Sequence, residues 1–61
     1  MNHKERFLQI YGNLPIPERS MPIYVDKEFG VMSWNVVHLE VQNGTELGDR
    51  ALESLSKLEI I

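Results

Sequence analysis

The chain has 61 residues, of which 43% are hydrophobic, and its formal net charge is −3. This length gives room for one small domain spanning residues 1–61, and a core of this size is only marginally stable on its own. Cysteine is absent, which excludes both disulfides and thiolate zinc sites. The hydrophobic fraction argues against a disordered chain.

Charge and hydropathy limit the cellular compartments and the classes of partner that are plausible for this chain. The six basic residues are spread along the chain, whereas nucleic-acid binders usually carry a basic patch that neutralises phosphates. No apolar run approaches the ~20 residues that a membrane helix needs, and the N-terminal segment lacks the apolar region of a signal peptide. We therefore expect a cytoplasmic protein with no membrane association, and we disfavour nucleic acid as a partner.

The first predicted element is a helix over residues 2–12. Asn2 is a suitable N-cap, and Glu5 follows three positions later, as in a capping box. Phe7 supplies an apolar stripe together with Leu8 and Tyr11. The three prolines of the next segment, PIPERSMP, predict a stiff connector because each proline fixes its own φ.

A β-hairpin is predicted over residues 23–33. Ile23, Tyr24 and Val25 favour a strand, and the stretch from Asp26 to Gly30 has turn chemistry, since glycine adopts positive φ without strain.

The last helix is predicted over residues 45–59, with Thr45 as its N-cap. Its apolar stripe recurs at helical spacing and comprises Leu47, Ala51, Leu55 and Leu58. Gly48 lies inside this helix, where it costs up to about 1 kcal/mol relative to alanine. Close packing against another backbone is one explanation for that glycine, and simple tolerance is the other.

The segment 31–41 fits two structures. As a strand it places Val37, Leu39 and Val41 on one face. As a helix it is capped by Ser33 and places Trp34, Val37 and Val41 along one stripe. Valine lowers helix propensity only by tenths of a kcal/mol, so periodicity leaves both alternatives open.

The run SWNVVHLEVQNGTELGDRALESLSKLEII resembles the C-terminal half of small uncharacterised archaeal proteins. Those proteins share Ser/Thr-Trp, then Val, Glu, Asn, Thr-Glu-Leu-Gly and a leucine-rich end closing in Ile-Ile. The upstream LPIPERSMPIYVD is similar to their Leu-Pro, Glu-Arg and apolar strand portion, so the resemblance spans about residues 7–61. It implies a helix for residues 33–43, although Val36-Val37-His38 departs toward strand propensity. It implies no activity and no site residue.

These observations predict an α+β domain in the order helix, β-hairpin, helix, helix. The alternative order is α-β-β-α, with a long second strand from 31 to 41. The predicted core comprises Phe7, Leu8, Tyr11, Ile23, Val25, Trp34, Val37, Val41, Leu47, Ala51, Leu55 and Leu58.

No residue pattern predicts catalysis or a cofactor. His38 and Glu40 form H-x-E, but a metal needs three or four converging ligands and His3 is the only other imidazole. The scattered carboxylates and serines lack the cleft and the activating neighbours that hydrolysis or nucleophilic attack requires. We therefore expect a protein that is not an enzyme and has neither cofactor nor resident metal.

Apolar residues are the candidate partner contacts. Phe29 falls at the predicted hairpin tip, where a core position is difficult to arrange, and we expect it to contact a partner if it is exposed. Leu58, Ile60 and Ile61 extend the apolar stripe of the last helix beyond what one small core can cover. The leading hypothesis is a small non-catalytic protein-binding or regulatory module whose partner is another protein or a second copy of the chain, as in a homodimer.

The alternative hypothesis is a helix-turn-helix-like regulator associated with nucleic acid, or an antitoxin-like protein. Two helices joined by a tight Asn-Gly-Thr turn resemble that motif, with residues 45–59 as the recognition helix. Because that helix carries acidic residues, which disfavour the approach of phosphates, we rank this hypothesis second.

Overall fold

The computed structural model describes residues 2–61. Its elements are α1 (His3–Asn13), a 3-10 helix (Ile16–Ser20), β1 (Pro22–Asp26), β2 (Gly30–Ser33), α2 (Trp34–Gln42) and α3 (Glu46–Lys57). The predicted α+β class and the order helix, hairpin, helix, helix are confirmed. The alternative with a long second strand is wrong, because β2 ends at Ser33 and a helix follows immediately.

Each of the three α-helices begins at a polar side chain that accepts a hydrogen bond from the first turn, as the sequence predicted. Asn2 Oδ1 accepts from the Glu5 N–H at 2.8 Å and begins α1. Ser33 Oγ accepts from the Val36 N–H at 3.2 Å, and Thr45 Oγ1 accepts from the Gly48 N–H at 3.1 Å. These caps satisfy donors that the first helical turn leaves without an intrahelical partner.

The ambiguous segment is helical because α2 buries its apolar side. Val37 and Val41 lie in the core, and the gain from burying them exceeds the small propensity cost of β-branched residues. The helix ends at Gln42. Gly44 follows with φ +66°, a left-handed conformation that reverses the chain before the Thr45 cap.

The hairpin is antiparallel, and its register pairs Tyr24 with Met32 and Val25 with Val31. Gly30 has φ +82°, which closes the turn after Asp26. Alternation along the strands directs one pair inward and the other outward. Accordingly, Met32 is buried, whereas Val25 is 69% exposed and Val31 is 66% exposed.

The core lies between the inner face of the hairpin and the three helices. Its buried members are Phe7, Met32, Val37, Val41, Ala51, Leu52 and Leu55. The core prediction was wrong for two residues. Val25 lies on the outer face of the hairpin, and Leu58 follows the last turn of α3 and is 67% exposed. Met32 and Leu52 are buried but were not in the predicted core.

Gly48 lets α2 and α3 approach closely. A Cβ atom built at this position would lie 2.8 Å from the Glu40 carbonyl oxygen, closer than real Cβ contacts. Of the two explanations for this glycine, close packing against another backbone is therefore the correct one. This contact sets the separation of the two helices that form one wall of the site described next.

Candidate functional site

An open groove of about 570 Å³ lies between β2 and the α2–α3 pair. Its apolar lining comprises Phe29, Val31, Met32, Val36 and Leu47. Phe29, Val31 and Val36 are each at least 45% exposed, so this apolar surface is accessible to a partner. Its volume falls within the range of small-ligand sites, but an open trough also accepts a segment of another protein.

Carboxylates dominate the rim of this groove, which we call the acidic groove. The charged residues that line it are Glu28, Glu40, Glu46 and Arg50. Arg50 is engaged elsewhere, because its Nε lies 3.4 Å from Oδ1 of the buried Asp26. Within residues 2–61, none of the three glutamates belongs to an ion pair. The groove therefore presents an excess of negative charge around an apolar floor, which Arg50 offsets only in part.

Asp26 fixes the hairpin turn that carries Phe29. Its Oδ2 accepts the backbone N–H groups of Glu28 at 3.0 Å and Phe29 at 3.2 Å, and its Oδ1 accepts the Tyr24 hydroxyl at 2.9 Å. The hydrogen bond from the Glu28 N–H is the main cause that lowers the pKa of Asp26 to about 2; Tyr24, Arg50 and the Phe29 N–H add to it, against the opposing effect of burial. An ionised Asp26 therefore holds the turn in one conformation.

The opposite wall is held by Thr45 and Glu40. The Thr45 hydroxyl donates to Glu40 Oε1 at 2.8 Å and accepts from the Gly48 N–H. The Thr45 backbone N–H also donates to the Glu40 carbonyl at 3.2 Å. The side-chain contact orients one rim carboxylate, and the backbone contact fixes the turn between α2 and α3.

The four predicted partner residues do not form one surface in the structure. Phe29 is 65% exposed and lines the acidic groove. Leu58 and Ile60 lie on the other side of the hairpin, in a second groove that we call the neutral patch. Its full lining is Pro22, Ile23, Tyr24, Val25, Ser54, Leu58 and Ile60, all uncharged. Ile61 instead packs against the core and is half-buried.

The end of the chain turns back after α3 because Glu59 adopts φ +58°, rare for a residue with a side chain. The Ile60 N–H then donates to the Leu55 carbonyl at 2.9 Å. This reversal directs Ile61 inward and leaves Ile60 41% exposed beside Leu58.

His38 belongs to an aromatic stack. Its ring lies parallel to the Tyr11 ring, with centroids 4.0 Å apart, and the Arg19 guanidinium lies 4.4 Å from the centroid of the same tyrosine. Burial lowers the pKa of His38, and the positive charge of Arg19 lowers it further. Among residues 2–61, no three histidine or acidic side chains come together as a metal site. His38 therefore packs as an aromatic residue in this structure.

His3 and Ser56 form a second polar contact between distant elements. The His3 Nε2 atom lies 2.9 Å from the Ser56 hydroxyl and links the start of α1 to α3. The contact is solvent-exposed. Activation of a serine also needs a group that orients the base and a site protected from water, so we assign this pair to helix packing.

Of the five apolar groove residues, sequence reasoning singled out only Phe29 as a partner contact and missed Val31, Met32, Val36 and Leu47. Hairpin alternation was the available signal for Val31: once Met32 faces the core, its neighbour must face outward. The exposure of Val36 depends on how α2 is rotated about its axis, which becomes clear only from tertiary packing.

In comparisons with known proteins, no family model, curated protein or solved structure gave a significant match to the chain. The resemblance to small archaeal proteins therefore stays a prediction. Among residues 2–61, none of the helices combines the length and the apolar character needed to cross a bilayer.

Proposed function

We propose that this chain is a small non-catalytic protein-binding module that acts in the cytoplasm, the compartment predicted from the sequence. Its acidic groove receives an apolar segment of another protein, and lysine or arginine side chains flanking that segment meet the rim. The observation that carries this proposal is the combination of an exposed apolar floor with three carboxylates that form no ion pair within residues 2–61.

Charge complementarity supports a basic partner. Complementary potentials across an interface accelerate encounter and exclude wrong partners, and like charges brought together cost free energy. A second copy of this chain docked by symmetry in the same groove would bring two sets of Glu28, Glu40 and Glu46 together. The groove is therefore better suited to a different, basic protein than to self-association.

The acidic residues at the start of α3 argue against nucleic acid as the partner. Glu46 and Asp49 lie in the first turn of α3, the helix that a helix-turn-helix would insert into the major groove. Carboxylates at that position repel phosphates.

A phage-displayed random peptide library panned against the immobilised chain tests the proposal. We expect the enriched peptides to combine apolar residues with lysine or arginine. The enrichment should disappear with the double variant Phe29→Ser, Val36→Ser. It should persist with the matched double variant Ile16→Ser, Leu39→Ser, whose residues are exposed and lie outside the groove lining.

Circular dichroism of both variants provides the folding control. Failure to enrich any sequence would contradict the proposed function. Equal enrichment by the native chain and the groove variant would also contradict it, because binding would then use another surface.

Self-association is a second candidate contact, and the neutral patch supports it. Val25 and Leu58 are exposed there, and all the lining residues are uncharged, so two copies can approach without like-charge repulsion. Sedimentation equilibrium over a range of concentrations should reveal a dimer that the Val25→Ser, Leu58→Ser variant loses. A native chain that stays monomeric at millimolar concentration would exclude it.

A further inference from the structure

The acidic groove has an unpaired strand edge as one of its walls. The sheet within residues 2–61 contains only β1 and β2, so each strand pairs along one side alone. In an antiparallel ladder, alternate residues direct both backbone groups away from the partner strand. β2 therefore offers N–H and C=O groups along its outer edge, where another strand can pair.

The groove runs along that edge rather than over one face of the hairpin. Val31 and Met32 are consecutive residues and point to opposite faces of the strand, yet both line the groove. The strand-side lining comes from β2 and the turn, with no contribution from Pro22–Asp26. A groove beside the outer edge of β2 accounts for both observations.

The two strands differ in how their edges are protected. β1 begins at Pro22, which has no N–H, and an irregularity between Pro22 and Tyr24 interrupts its register. Charged residues, prolines and bulges are the usual means by which proteins prevent pairing at a sheet edge. β2, with the sequence GVMS, contains none of them. The structure thus protects one edge and leaves the edge beside the acidic groove open.

From this arrangement we infer that the partner binds by strand addition: an extended segment pairs with the outer edge of β2 and lies in the acidic groove. This inference rests on the proposed function and specifies its mode. Alternate side chains of an extended segment point to opposite sides. Apolar residues at every second position then face Val36 and Leu47, and basic residues between them reach the rim carboxylates.

The test uses a synthetic peptide of about eight residues that alternates valine and lysine, a length that exceeds the four residues of β2. A scrambled peptide of the same composition is the sequence control, and an alternating valine–glutamate peptide is the charge control. Fluorescence anisotropy measures binding, and amide hydrogen exchange locates it. We expect the alternating valine–lysine peptide to bind at least about tenfold more tightly than either control and to protect outward N–H groups of β2.

A matched pair of variants tests whether binding depends on the β2 side of the hairpin, where Val31 lines the acidic groove. Val31→Lys places a charged residue on β2, and Val25→Lys places the same charge on its cross-strand neighbour in β1. Both positions are exposed to a similar extent, so both chains should fold. We expect Val31→Lys to weaken binding of the alternating peptide by about tenfold or more and Val25→Lys to weaken it by less than about threefold.

N-methylation of alternate peptide residues separates strand addition from other modes. N-methylation at one alternating set of peptide positions should abolish binding, and N-methylation at the other set should leave binding intact, because only one set of N–H groups faces β2. If the peptide binds but tolerates both patterns, or becomes helical on binding, strand addition is wrong while the proposed function stands. Protection of β1 amides or dimerisation through β2 would likewise overturn the inference.

Discussion

Arg50 in α3 and Asp26 at the hairpin turn form an ion pair across 24 positions of sequence, with Nε and Oδ1 3.4 Å apart. The Asp26 side chain is buried and that of Arg50 is partly exposed. The pair joins the turn that carries Phe29 to the helix behind it. The orientation of the acidic groove therefore depends on a charged contact as well as on apolar packing.

Asp26→Asn should lower the melting temperature at neutral pH, because the variant keeps an acceptor oxygen for the turn but loses the negative charge. The folded-state pKa of Asp26 is about 2, below its ordinary 3.8, so the charge stabilises the folded state above pH 3.8 and the gain is lost as pH falls through 2. Thermal unfolding of both chains should show a difference in melting temperature that stays constant from neutral pH down to about pH 4 and then shrinks toward pH 2. Glu53→Gln, which breaks an exposed pair with Lys57, should show only a small gap throughout.

Gly48→Ala should destabilise the protein by about 1–3 kcal/mol, because the added methyl group meets the Glu40 carbonyl oxygen at 2.8 Å and forces the two helices apart. Gly12→Ala in α1 is the matched control. A Cβ at Gly12 has nothing within 4 Å, so this substitution should stabilise the helix by up to about 1 kcal/mol. Urea denaturation measures both. Equal effects at the two positions would contradict close contact between α2 and α3.

His38 should titrate below its ordinary pKa of 6.5 in the folded protein. Because the unfolded chain then binds the proton more readily, stability should decline as pH falls below about 6.5, and the decline should end below the folded-state pKa. NMR of the imidazole protons should report the lowered value. Arg19→Gln should raise it partway, since burial remains, whereas Arg6→Gln on the exposed side of α1 should leave it unchanged.

Phe29→Ser should change the free energy of unfolding by no more than about 0.5 kcal/mol, because the side chain is 65% exposed and lies outside the core. Leu55→Ala should cost about 2–5 kcal/mol, because Leu55 is fully buried. Chemical denaturation of the two variants distinguishes a surface residue from a core residue. A large loss of stability in Phe29→Ser would show that the aromatic ring supports the hairpin and is not reserved for a partner.

The helix boundaries were predictable because their signals are local. Asn2, Ser33 and Thr45 each cap the helix that follows, and a cap depends on only a few neighbouring residues. In the middle of the chain, Ser33 marked where a helix could begin, but the burial of Val37 and Val41 in the core decided between helix and strand.

The acidic groove was less predictable because it depends on contacts between distant elements. Arg50 lies one turn after Glu46, a spacing that favours an ion pair within a helix, but its side chain turns toward the buried carboxylate of Asp26 instead. Val25 was placed in the core because it lies in an apolar strand, and only the register with Val31 shows that it faces outward. Short strands give the alternation pattern too few residues to determine the inward face.

The contact between Gly48 and the Glu40 carbonyl has a consequence for how this scaffold tolerates variation. Because α2 and α3 meet there through main-chain atoms, their spacing does not depend on the identity of outward-facing side chains such as Val36 or Glu46. Substitutions at those positions would alter which sequences are recognised without shifting the frame that presents them. Point mutations at exposed groove positions can therefore change the binding preference of the domain while the spacing of its helices stays the same.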